Sequence, residues 1–129
     1  MKQILRFIRD EQLTVRVAIP AEEASVNTPA IDFGQTFSGG VVERVQVGVE
    51  IPALPNLTGD INFTLQDSED GTTFDDIVGL GTVSLSDKNG EIKHLRLPPS
   101  ARRYVRATVE SAIGSGNNTA YKAAFLVLI

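Results

Sequence analysis

Few residues in this chain have the type and spacing that chemistry requires. There is no cysteine, and the one histidine, His94, sits within an alternating, strand-like stretch. Nucleophilic catalysis needs a serine or thiol beside a base. The serine of Gly114-Ser115-Gly116 lacks the spacing of a hydrolase elbow and lies in a loop between strand-like segments. Gly79-Leu80-Gly81 leads into a strand and has no third glycine, so it is a poor phosphate cradle. The run Asp67-Ser68-Glu69-Asp70-Gly71-Thr72-Thr73 sets oxygen ligands on a glycine-bent loop, the raw material of a Ca²⁺ site, but without EF-hand spacing or its distal glutamate. The simpler reading is a turn in which Asp70-Gly71 supplies the left-handed residue and the acids stay solvated. Asp75 and Asp76 are adjacent on a strand-like segment, so they point to opposite faces and make no carboxylate pair. The expectation is a protein that is not an enzyme, with no catalytic residues, no cofactor and no metal.

The elements that would carry these residues are strands. Leu13, Val15 and Val17 alternate with Thr14, Arg16 and Ala18, and Val41, Val45, Val47, Val49 and Ile51 share a second face. Ile61, Phe63 and Leu65 mark a third strand, Val83 and Leu85 a fourth, Leu95 and Leu97 a fifth. Leu97-Pro98-Pro99 fixes two φ angles and removes two backbone donors, forcing a turn. The strand that follows sets Val105, Ala107 and Val109 against Tyr104, Arg106 and Thr108. From Tyr121 to Ile129 nearly every residue is apolar, which predicts a last strand buried on both faces. Asn89-Gly90 reads as a hairpin turn. About eight strands with turn residues between them predict an all-β, antiparallel sandwich or jelly roll.

The chain has 129 residues, enough for one core, and a formal net charge of −4. An acidic surface argues against nucleic acid as a partner. No apolar run reaches membrane-spanning length, and Arg6 and Arg9 interrupt any secretory apolar segment, so no membrane partner is expected. Charge is uneven: residues 60–76 are acidic, and residues 88–106 are mostly basic. Such strands either pair their charges on a wet face or form a docking surface.

The N-terminal segment is ambiguous. Ile4, Leu5, Phe7 and Ile8 alternate irregularly with Lys2, Arg6 and Arg9. Residues 1–11 are an arm or the first strand, and residues 12–129 form a single domain. Burying four apolar side chains barely offsets the backbone entropy of ordering an arm. Strand addition or several copies bound together would supply the remainder.

Three segments resemble the small jelly-roll cement, or decoration, proteins of tailed bacteriophages. Val26-Asn27-Thr28-Pro29-Ala30-Ile31-Asp32-Phe33-Gly34 looks like an early strand of that family, and Leu65-Gln66-Asp67-Ser68-Glu69-Asp70-Gly71-Thr72-Thr73-Phe74 like its hairpin. Residues 97–109, with their aromatic-arginine pattern, look like its late strand. The likeness runs from about Val15 to Ile129, and the charged N-terminal extension departs from it. The resemblance implies a structural virion protein made in the host cytoplasm. It would sit on the outer surface of a capsid, clamping neighbouring copies of the major capsid protein as a homotrimer at three-fold positions, with no small-molecule substrate. Interface candidates are Ile4, Leu5, Arg6, Phe7, Ile8 and Arg9 in the arm, and Arg102, Arg103 and Arg106 on the late strand. The same hairpin pattern occurs in sugar-binding β-sandwiches, so a carbohydrate-binding module is one alternative, and a head or tail adaptor another.

Overall fold

The computed structural model describes residues 9–33, 46–98 and 100–128, and these form strands and turns with no helix. Ten strands appear: β1 (Arg9–Ala18), β2 (Ser25–Asn27), β3 (Ile31–Asp32), β4 (Gln46–Ile51), β5 (Ile61–Ser68), β6 (Asp75–Asp76), β7 (Thr82–Leu85), β8 (Glu91–Arg96), β9 (Tyr104–Ser111) and β10 (Lys122–Leu128). All strand pairs are antiparallel. One sheet has the order β1-β10-β4-β8. The other has six strands, in the order β2-β9-β5-β6, with β3 also on β9 and β7 also on β5. This is the expected all-β sandwich, with ten strands in place of about eight. Strands β2, β3 and β6 have two or three residues each, so the early strand over residues 26–34 is split in two and the strand-like stretch at 75–76 shows no period of its own.

The core lies between the sheets. Val47, Val49 and Ile51 of β4 and Phe125 of β10 meet Ile61, Phe63 and Leu65 of β5 and Val105, Ala107 and Val109 of β9, all buried. On β5 and β9 the intervening residues are half-exposed, the alternation expected of a sheet wet on one side. Strand β10 departs from alternation as predicted: Ala124, Leu126 and Leu128 form a second buried cluster on its other face. Next to Leu126 on β4 stands Gly48. A Cβ there would already touch the Ile92 side chain, so that face is closely packed.

The break between β2 and β3 shows how the chain crosses a proline. Pro29 has no N–H for β9. Thr28, buried at this step, gives its N–H to Ala107 O at 2.9 Å, and its hydroxyl oxygen accepts the Ala107 N–H at 3.0 Å. One side chain thus substitutes for a missing rung of the ladder.

Asn89-Gly90 does not form the hairpin its sequence suggests. Strand β7 pairs with β5, and β8 pairs with β4 in the other sheet. The Gly90 N–H bonds Asp87 O at 3.0 Å, making Lys88 and Asn89 the turn centre. Gly90 alone takes positive φ, +102°, so the mirror-image turn that twists two strands together is absent. The Glu91 carboxylate accepts the N–H groups of Ser86 and Asp87, and Leu54 N–H bonds Lys88 O at 2.7 Å. These bonds hold the turn against the loop after β4 and send the chain from one sheet to the other.

At the opposite junction, the β9–β10 loop interlocks with the loop before β5. Thr58 Oγ1 donates to Gly114 O at 2.7 Å, and Thr58 N–H to Ser115 O at 3.1 Å. Gly116 sits at φ +87°, and a Cβ there would overlap Asn56 O. Both the backbone conformation and the contact exclude a side chain. Gly116→Ala is expected to lower stability by about 2–4 kcal/mol, read as a shifted denaturant midpoint at unchanged slope.

Candidate functional site

The residues singled out for chemistry are distributed, not assembled. His94 is exposed on β8 of the four-stranded sheet, the acidic loop caps the six-stranded sheet, and Ser115 is buried in the β9–β10 loop. Among the described residues, no group of three or more His, Asp and Glu is placed to hold a metal ion. Residues 1–8, with Ile4, Leu5, Arg6, Phe7 and Ile8, lie outside the described residues, and the Arg9 backbone opens β1 opposite Leu128.

What the fold does assemble is a set of guanidinium–carboxylate contacts where β5, β6 and β9 meet. Asp67 is buried at 6% exposure near the end of β5, and Arg102 closes over it. Arg102 Nε and Nη2 reach Asp67 Oδ1 at 3.1 and 2.8 Å, and the Arg102 backbone N–H takes Oδ2 at 3.0 Å. Nη2 also reaches Asp67 O at 2.9 Å and Asp75 Oδ2 at 3.0 Å. The hydrogen bonds to Asp67, and then to Asp75, hold the Arg102 guanidinium protonated even more firmly than usual. The backbone supports this placement. Asp67 and Asp75 are cross-strand partners, and the Ala101 N–H to Pro98 O turn, 3.0 Å, delivers Arg102 to them. Asp76, one residue on, accepts instead from Gln66 Nε2 at 2.9 Å, so the two adjacent aspartates do point apart.

Arg103 makes a two-pronged pair with Asp32 of β3, at 2.7 and 2.9 Å, and lies 5.0 Å from the Tyr104 ring centre. Hydrogen bonding to Asp32 raises its pKa. Arg106 sits 4.0 Å over the Phe74 ring, and its Nε donates to Gln66 Oε1 at 2.9 Å. All three arginines proposed as partner contacts therefore have partners within the chain. The acidic and basic stretches meet because β5 and β9 are neighbours, and there Arg102 pairs with buried Asp67 and exposed Asp75.

The acidic loop is a self-capped turn. Gly71 takes φ +81°, with the Tyr104 ring 3.5 Å from where a Cβ would stand. Asp70 Oδ1 accepts from Thr72 N, Thr73 N and Ser68 Oγ at 2.9, 3.1 and 2.9 Å. Those bonds, the Thr72 and Thr73 N–H groups foremost, hold the Asp70 carboxyl down at about 2. Asp67 faces Arg102 and Asp70 folds back on its own loop, so the two carboxylates serve separate structural contacts. Beside them lies an open cleft of about 300 Å³, lined by Asp67, Asp75, Asp76, Val78 and Arg102.

Sequence reasoning placed Asp67 in a loop and did not pair it with Arg102. The opposed charge blocks were the available signal. Thr28, Asp32 and Phe74 fell within the segments of the resemblance, but no role was assigned to them.

No protein-family model matches the chain, and no curated protein matches it in sequence. Among solved structures it is similar to the PBSX exported protein XepA, with TM-score 0.53 and 8% identity over 90% of this chain and 36% of that one. It is also similar to a protein from Bacillus endospore appendages, described as disulfide-linked pili, with TM-score 0.43 and 8% identity over 98% of this chain and 94% of that one. A CBM4 structure has TM-score 0.43 and 14% identity over 89% of this chain and 70% of that one. At such identities only the XepA likeness bears on the fold, and the chain spans about a third of XepA's length. The chain is an all-β, two-sheet sandwich protein.

Removing the Arg102 side chain leaves the Asp67 carboxylate buried without its counter-charge. Arg102→Ala is expected to lower stability by about 1–3 kcal/mol, the upper range being reduced because the guanidinium is partly solvated. Urea denaturation at neutral pH reads this directly. The Asp70 carboxyl has a folded pKa below its ordinary 3.8, so its contribution is complete above that value and lost as pH falls towards about 2. In the same window Asp70→Asn should lose less stability than the wild type, measured by denaturant midpoints across that pH range.

Proposed function

We propose that this protein is a structural component of a bacteriophage virion, binding the outer surface of the capsid and clamping neighbouring major capsid subunits as a homotrimer at three-fold positions. One observation carries the reading. The segments that resemble cement proteins are not scattered: β2 and β3, the β5 strand with its hairpin, and β9 are direct neighbours in the six-stranded sheet. They are fastened to one another by Arg103–Asp32, Arg102–Asp67 and the Thr28–Ala107 exchange. A sheet braced by arginine–aspartate pairs of its own suits a part that must hold its shape while gripping others. In this reading Ile4, Leu5, Phe7 and Ile8 are the anchoring side chains, with Arg6 and Arg9 beside them. Arg102, Arg103 and Arg106 brace the six-stranded sheet through their bonds to Asp67, Asp32 and Gln66. Modest contacts multiplied over three copies then give firm attachment.

Cosedimentation with undecorated capsids tests the proposal. The expected result is saturable pelleting at micromolar protein, with deletion of residues 1–8 weakening it at least tenfold and leaving the circular dichroism spectrum unchanged. Absence of pelleting at those concentrations would remove the reading. Solution mass separates a trimer from an adaptor ring, and a reproducible glycan-array hit would favour the carbohydrate-binding alternative.

A further inference from the structure

The loop between β9 and β10 is closed around two oxygen atoms that no protein group satisfies. Ser115 is 0% exposed and Asn118 is 1% exposed. Most of their hydrogen-bonding capacity is met. Ser115 N–H bonds Ala112 O at 3.1 Å, and Ser115 O accepts from both Thr58 N and Asn118 Nδ2, each at 3.1 Å. Asn118 O accepts the Tyr121 N–H at 3.1 Å. Ser115 Oγ and Asn118 Oδ1 are left over, both buried. A buried hydroxyl or carboxamide oxygen without a partner is a substantial cost, and folded proteins rarely leave one so.

We infer that the β9–β10 loop encloses one ordered water molecule bridging Ser115 Oγ and Asn118 Oδ1. The Asn118 carboxamide is fixed by its Nδ2 bond to Ser115 O, and Oδ1 makes no direct bond to the serine hydroxyl. A single water can bridge two buried polar atoms held in one loop. The chemistry of the two atoms selects the ligand. Oδ1 only accepts, so it refuses an anion and takes a hydrogen from water, while Oγ serves as donor or acceptor. Both groups are neutral, and neither supplies the charge that a divalent cation requires. The water completes a loop already fastened to residues 56–59 through Thr58 and Gly116. It makes that end of the sandwich one hydrogen-bonded unit.

A crystal structure of the full chain at high resolution tests this without any variant. A density peak within hydrogen-bonding distance of both oxygens is expected. A direct Oγ to Oδ1 bond, or a peak ringed by many oxygens at short metal-like distances, would overturn it. In solution the sign of one substitution discriminates. If the hydroxyl is unpartnered, Ser115→Ala removes a penalty and the melting temperature stays or rises. If it holds a water, Ser115→Ala lowers the melting temperature by about 3–6 °C. Cross-relaxation between a long-lived water and the Asn118 side-chain amide should be present in the wild type, and its absence would also count against the bridge.

Discussion

The carboxylate of Asp67 is a charge set into the wall of a β-sheet, and much of the local architecture follows from the need to match it. A buried carboxylate with no counter-charge is costly, so the groups around it must arrive in fixed positions. Arg102 brings both a guanidinium and a backbone N–H to the same side chain. That fixes the turn after Pro98, the start of β9 and, through Asp75, the short strand β6. A guanidinium suits this place because its planar fork serves two carboxylates and a carbonyl at once, which a lysine ammonium would do less well.

The second constraint is topological. The chain changes sheet between β1 and β2, β3 and β4, β4 and β5, β7 and β8, β8 and β9, and β9 and β10. Nearly every strand therefore pairs with a segment distant in sequence. Loops must turn corners between layers instead of reversing within one, and the side chains that make those corners are polar: Glu91 at one junction, Thr58 at another. Their backbone bonds do what a tight hairpin would do in a simple meander. Rigidity at the corners lets the faces remain plain, with reactive side-chain types kept apart on separate elements. A protein built in this way offers stable surfaces, as the proposed clamping role would require.

Much of this was legible in the residues. The alternation at Ile61, Phe63 and Leu65, and at Val105, Ala107 and Val109, gave both core strands and their inward faces, because a sheet with one wet side imposes a period of two. The doubly buried last strand was visible because an unbroken apolar run leaves no polar face. The turn at Asp70-Gly71 followed from the conformational freedom of glycine. The arginine cluster was half legible: opposed charge blocks allowed either pairing or a docking surface, and did not show that Asp67 would be the buried member.

By itself, then, the amino-acid order determined local preference: where the chain extends, where it bends, and which side of each strand avoids water. Tertiary structure alone decided which strands became neighbours. Asn89-Gly90 illustrates the division. Its local chemistry favours reversal, yet β7 and β8 gain more by completing separate sheets than by pairing with each other. Partner choice in a β-sandwich depends on burial summed over residues far apart in the chain, and no short window of sequence carries that sum.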